Sequence, residues 1–129
     1  MRQGRGRRFE ALRGFVLQGS GERERLKTTM PKVKHIALLK FKEGTTQEQI
    51  DQTFDQILEL SESIDGIEDY VSGINNSPER LNQGYTHGFV MTFKDAAARD
   101  AYLPHADHER VKLAVLPSLE SVLVFDFEV

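Results

Sequence analysis

The side chains that could carry chemistry in this chain are four histidines, His35, His87, His105 and His108, three tyrosines and a slight surplus of carboxylates, with no cysteine and no tryptophan. Imidazoles titrate close to neutral pH, so they serve proton transfer or metal binding according to what surrounds them. Tyr102, His105 and His108 follow at intervals of three, which on a continuous helix holds them within an arc of about 120°. Pro104 interrupts that continuity. A proline is tolerated in the first turn of a new helix, so the chain can be re-aimed here with His105 and His108 near the mouth of a pocket. His35 and His87 alternate with apolar residues in two extended stretches, and Asp126 does so in a third. An acid and two imidazoles are thus expected to meet in one layer.

Two other uses of these residues compete with acid–base work. A metal could be chelated by His105 and His108, with His87 or Asp126 completing the set. No His-Glu-x-x-His spacing occurs and the histidines fall on three separate elements, so no metal is expected and no cofactor is called for. Alternatively His35 and His87 are hydrogen-bonded core residues, Asp126 satisfies His35, and Tyr102 packs its ring with its hydroxyl at the rim, since buried polar groups find partners. The sequence has no Gly-rich phosphate loop and no nucleophile elbow, which leaves nucleotide hydrolysis and acyl-enzyme chemistry without support.

Composition narrows the classes further. At 129 residues there is room for one domain with one modest core. The absence of cysteine removes disulfides and thiolate metal sites and suits a cytoplasmic protein held together by packing. No apolar run approaches the ~20 residues of a membrane span. The net charge of -3 is unevenly spread: residues 1–29 hold eight Arg and Lys against three Glu, or +5, which leaves -8 for the rest. An acidic domain is a poor partner for phosphate backbones, so nucleic acid is not expected to bind it. Residues 1–30, with scattered glycines and no hydrophobic period, are expected to be a disordered or dispensable extension. Met30 is an alternative start, and a targeting role for the arginines is the competing reading.

The elements that must position these residues are legible as periodicities. Val33 to Phe41 alternates in period two, as a strand does. A Thr45–Glu48 capping pattern then opens a helix whose apolar stripe is Ile50, Phe54, Ile57, Leu58 and Ile64, and Gly66 ends it. A weaker strand covers Tyr70 to Ile74. The next puts Tyr85, His87, Phe89, Met91 and Phe93 on one face. Asp95 caps an alanine-rich helix that Pro104 interrupts, a helical stretch follows from Asp107 to Leu119, and Val122 to Glu128 closes the chain as a strand. The order β-α-β-β-α-β is the ferredoxin-like α+β unit, an antiparallel sheet with helices on one face. Its other face carries Ile36, Leu38 and Val90, which a copy of the chain would cover. A homodimer closed into a dimeric α/β barrel is therefore expected over residues 31–129.

Four stretches together resemble the stress-responsive A/B barrel family: Val33-Lys34-His35, Gly84 to His87, Tyr102 to Val111 and Leu123 to Phe127. The last two are similar to its Tyr-x-x-His-Pro-x-His and Leu-Val-x-Asp-Tyr patterns. The family includes plant proteins linked to stress and a polyketide cyclase whose motif Tyr and His act on substrate. The resemblance implies Tyr102 and His108 as the catalytic pair, His108 as general base and Tyr102 on the developing oxyanion. Asp126 would orient His35, and His35, His87 and His105 would join the pocket. Within the motif Pro104 precedes His105 instead of following it. Ile57 stands where the cyclase has a pocket Tyr, and Lys112 where it has Gly. The expectation is a small helix-facing pocket for a carbonyl or aromatic ligand with no assigned reaction. A cyclase- or lyase-type enzyme is the second reading, and a heme or quinone-type monooxygenase, by fold analogy, the third.

Overall fold

The computed structural model describes residues 30–129; the expectation for the N-terminal extension lies outside the described residues. Strand β1 spans Val33–Phe41 and obeys its alternation, with Val33, His35, Ala37 and Leu39 buried and Lys34, Ile36 and Leu38 turned the other way. Helix α1 spans Gln47–Ser63, and its capping box forms one residue later than the Thr45–Glu48 spacing suggests. The Thr46 hydroxyl accepts from the Gln49 amide at 3.1 Å, and the Gln49 side chain accepts from the Thr46 amide at 2.9 Å. Thr45 is drawn off by the Lys42 carbonyl, to which its hydroxyl donates at 2.6 Å. The buried stripe runs through Thr53, Ile57, Leu60 and Ile64, so Leu60 takes the core place expected for Leu58, which is exposed. Leu58 lies about 100° around the helix from Ile57 and misses the stripe.

At Gly66 the chain turns with φ +94°, and a Cβ there would sit 2.7 Å from the Cβ of Ala98. Glycine is needed both for the left-handed backbone and for the approach of the following helix. Strand β2 (Ile67–Ile74) begins three residues before the expected Tyr70, and β3 spans His87–Phe93, leaving Tyr85 outside it. Helix α2 (Ala96–Tyr102) is capped by the Asp95 side chain at the Ala98 amide, 2.8 Å away. Helix α3 covers Ala106–Val115. It stops four residues short of Leu119 because Pro117 cannot continue it; a single tight turn over Leu116–Ser118 leads into β4 (Leu119–Glu128).

The sheet is antiparallel with order β2-β3-β1-β4, the ferredoxin-like α+β arrangement, its second helical arm divided by Pro104 into α2 and α3. Helices cover one face, where Val33, Met91 and Phe93 are completely buried among Ile57, Leu60 and Tyr102. On the opposite face Leu38, Val71, Leu123, Phe125 and Phe127 are exposed, and Ile36 and Val90 share it by register. That is more contiguous apolar surface than a monomer ordinarily leaves in water. Among the described residues no helix is long and apolar enough to cross a membrane.

Candidate functional site

Register builds the site. β4 pairs with β1 so that Asp126 lies opposite His35, Val124 opposite Ala37 and Val122 opposite Leu39, all on the helix-covered face. The His35 Nδ1–H donates to Asp126 Oδ1 at 2.8 Å, and Arg99 Nη1 of α2 donates to Asp126 Oδ2, also at 2.8 Å. A carboxylate only accepts, so Nδ1 carries the hydrogen and Nε2 is the nitrogen left for the cleft that His35 lines. Phe93 and Tyr102 meet the imidazole edge-on, with ring centroids 5.9 and 6.0 Å away. Its orientation is therefore set by one ion pair and two aromatic walls.

Tyr102 is buried, and its ring stacks on His108 with centroids 4.1 Å apart and planes 25° apart. Pro104 accounts for how α2 and α3 bring the two together. α2 ends at Tyr102, Leu103 forms its C-cap, and the chain re-enters a helix at Ala106 with the Leu103 carbonyl left facing His108. That carbonyl accepts from His108 Nδ1 at 3.0 Å. The neutral ring thus holds its proton on Nδ1 and its lone pair on Nε2, the form a general base needs. Burial, the largest influence, pushes the His108 pKa below its ordinary value. The Lys112 and His35 charges act the same way, against the Leu103 hydrogen bond and Glu109. Burial also drives the Tyr102 hydroxyl upward, aided by Tyr70, so it stays a donor throughout the neutral range.

These three side chains open onto one cleft of about 210 Å³ between the sheet and the helices. Its walls are apolar, from Ile57 and Leu60 of α1, Val111 and Val115 of α3, and Val122 and Val124 of β4; Lys112 stands at its edge. A body of that size suits a small aromatic or short acyl group. A larger depression, about 360 Å³, lies over the exposed sheet face and is lined by Ile36, Leu38, Val71 and Val90. It holds none of the Tyr102 and His108 chemistry.

The expected meeting of an acid and two imidazoles holds for Asp126 and His35 and fails for His87. In register His87 pairs with Leu39, four residues along β1 from His35, and its ring stacks on Phe54 at 5.5 Å and meets Phe41 edge-on. Its Nδ1 lies 2.7 Å from the Thr86 hydroxyl, and burial lowers its pKa. His87 does share the face of His35, but parity carries no information on distance along the strand. His105 is also turned from the cleft: it is the N-cap of α3, its Nδ1 accepting from the Asp107 amide at 3.0 Å. Among the described residues no group of three or more His, Asp or Glu side chains is placed to share a metal ion. Arg99 was missed by sequence reasoning. The available signal was an acid on a core-facing strand position, which needs a cation, and Arg99 is the only Lys or Arg of α2.

Residues 33–129 match the model of a family described as the Stress Responsive A/B Barrel Domain. The stress-response A/B barrel domain-containing protein HS1 of Arabidopsis thaliana is 35% identical over 96 residues, covering 74% of this chain and 88% of that protein. Olivetolic acid cyclase of Cannabis sativa is 28% identical over 95 residues, covering 74% and 94%. Among solved structures, a dimeric ferredoxin-like protein of unknown function from Jannaschia sp. CCS1 superposes with a TM-score of 0.68 at 27% identity, over 76% of this chain and 99% of that one.

Proposed function

This chain belongs to the stress responsive A/B barrel domain family, and from that premise we propose that it works as a homodimer whose helix-facing cleft takes a small carbonyl or aromatic ligand. The observation that carries the reading is the convergence of His35, Tyr102 and His108 on one cleft whose other lining residues, Lys112 apart, are apolar. Apolar walls supply the affinity and the few polar groups fix orientation, as in most small-molecule sites. The dimer is supported by the exposed apolar face of the sheet and by a dimeric structural relative. The absence of cysteine suits a cytoplasmic protein.

Thermal-shift titration with small aromatic acids and β-keto acids tests the pocket. A ligand at 100 times its Kd is expected to stabilise by about 2.7 kcal/mol, and for a domain near 100 residues each kcal/mol moves the midpoint by roughly 4–8 °C. Val124→Trp, at an exposed position lining the cleft, should abolish the shift. Finding no shift with any probe, or an equal shift in the blocked variant, would sink the reading.

A second reading, favoured by the stacked Tyr102 and His108 and by the olivetolic acid cyclase relative, is acid–base turnover of that ligand. His108 Nε2 takes a proton from the carbon beside a carbonyl. The electron pair of the broken C–H bond forms the new C=C bond, the carbonyl π pair moves onto its oxygen, and the Tyr102 hydroxyl donates to the enolate so formed. Ile57 and Lys112 reshape the cleft, so the cyclase's own substrate is not carried over. Deuterium exchange at the α-carbon of a β-keto acid is expected to fall at least ~100-fold in His108→Ala. Because the unprotonated imidazole is the active form and its pKa is depressed, exchange should rise with pH below about 6.5 and be level above. Unchanged exchange in both His108→Ala and Tyr102→Phe would rule out turnover through this pair.

A further inference from the structure

Among the described residues the cleft carries one cation and no acid: Lys112 is the only Lys or Arg of them that lines it, and no Asp or Glu of them does. This is a local inversion, since residues 30–129 together carry -8. The carboxylate closest to the chemistry, Asp126, has both oxygens engaged by His35 and Arg99. Among the described residues Lys112 pairs with Glu109 alone, three residues earlier on α3, with Nζ 3.4 Å from Oε2 and the two side chains 42% and 52% exposed. A pair that open to water is weak and readily exchanged for another anion.

Exposure also separates two roles for the lysine. A side chain that plugged the cleft would bury its ammonium among the valines. At 42% exposure the stem lines the wall while the charge stays at the solvent end. Lys112 lies four residues after His108, on the same face of α3 and about 6 Å, just over one turn, along it. A carboxylate held at Nζ therefore directs the atoms attached to it toward His108 and Tyr102.

We infer that the cleft selects a carboxylate ligand, an aromatic or β-keto acid whose anionic end pairs with Lys112 while its apolar body fills the space between β4 and the helices. The inference rests on the ligand-pocket reading above and adds the charge of the ligand to it. Lys112 acts here as a specificity residue and takes no part in proton transfer. That its charge reaches the site is consistent with its share in depressing the His108 pKa.

The test is calorimetric titration of the intact protein with naphthoate and with naphthamide, which share a ring system and differ in charge, at low and at high salt. Wild type is expected to bind naphthoate at least about fivefold tighter than naphthamide at low salt, with the gap narrowing as salt screens the pair. Lys112→Gln should erase the preference, and Lys112→Glu should reverse it. The position is half-exposed, so both variants are expected to keep the wild-type circular dichroism and melting midpoint. Equal affinity of wild type for acid and amide would overturn the inference and leave the pocket reading standing. Tighter binding of both probes by Lys112→Gln would overturn it in favour of a plug. Failure of both probes to bind wild type and both variants would overturn the inference together with the pocket reading.

Discussion

Asp126→Ala is expected to destabilise the fold by about 2–3 kcal/mol, a midpoint lower by roughly 10–20 °C for a domain of this size. Both oxygens of the carboxylate are in 2.8 Å hydrogen bonds, one from a histidine with 8% of its side chain exposed and one from an arginine with 23% exposed; Asp126 itself is 21% exposed. Truncation leaves the His35 Nδ1–H without an acceptor inside an aromatic box and returns Arg99 to its surface partner Asp100. Removing one member of a fully buried pair costs about 3–5 kcal/mol, and an orphaned buried donor about 1–3. Partial exposure of Arg99 and Asp126 places the expected value toward the lower figures. Asp126→Asn retains one acceptor oxygen and should lose about half as much. The site responds too, because nothing then forces the proton onto His35 Nδ1, and nitrogen-15 shifts should report a mixture of tautomers. Urea denaturation giving a loss under ~0.5 kcal/mol would mean the ion pair does not hold the sheet to α2.

The parts of this site differ in how far local sequence determines them. Alternation placed His35 and Asp126 on one face, and the β1–β4 register then made them direct neighbours. The period of two is a local property and survives folding whenever one face is buried. Distance along the strand is not local: His87 shares that face and still sits on Phe41 and Phe54, away from the cleft. His105 shows the same limit on helices. An i, i+3 spacing implies a shared face only if the helix is continuous, and Pro104 makes His105 an N-cap instead. The stacking of Tyr102 on His108 depends on where α3 restarts, which no spacing rule supplies. In α1 apolar spacing alone admits Leu58, but Leu60 is the residue that lies on the line from Thr53 through Ile57 to Ile64. Arg99 is the plainest omission, because a cation on a short alanine-rich helix carries no pattern until its carboxylate is located.

The same parity gives the sharpest expectation for assembly. Phe125 and Val124 are adjacent on β4 and exposed to nearly the same degree, 60% and 55%, but they point to opposite faces. Phe125 pairs in register with Ile36 on the exposed sheet face, and Val124 with Ala37 on the cleft side. In a homodimer closed over the exposed face, Phe125→Glu removes a ring whose burial is worth about 1.5–3 kcal/mol. It also places an unpaired carboxylate against an apolar surface. Two-fold symmetry counts each loss twice. The dimer Kd is then expected to rise by roughly a thousandfold or more. Sedimentation at micromolar concentration should show wild type as a dimer and Phe125→Glu as a folded monomer with a lower melting midpoint, since dissociation removes mass-action stabilisation. Val124→Glu should remain dimeric, because its charge projects into the cleft; there it adds a negative charge to the lining that includes Lys112 and should weaken carboxylate binding instead. A monomeric wild type, or equal behaviour of the two variants, would show that this face does not close the barrel. Phe125→Glu and Val124→Glu would therefore separate the surface proposed to assemble the protein from the surface proposed to meet a ligand.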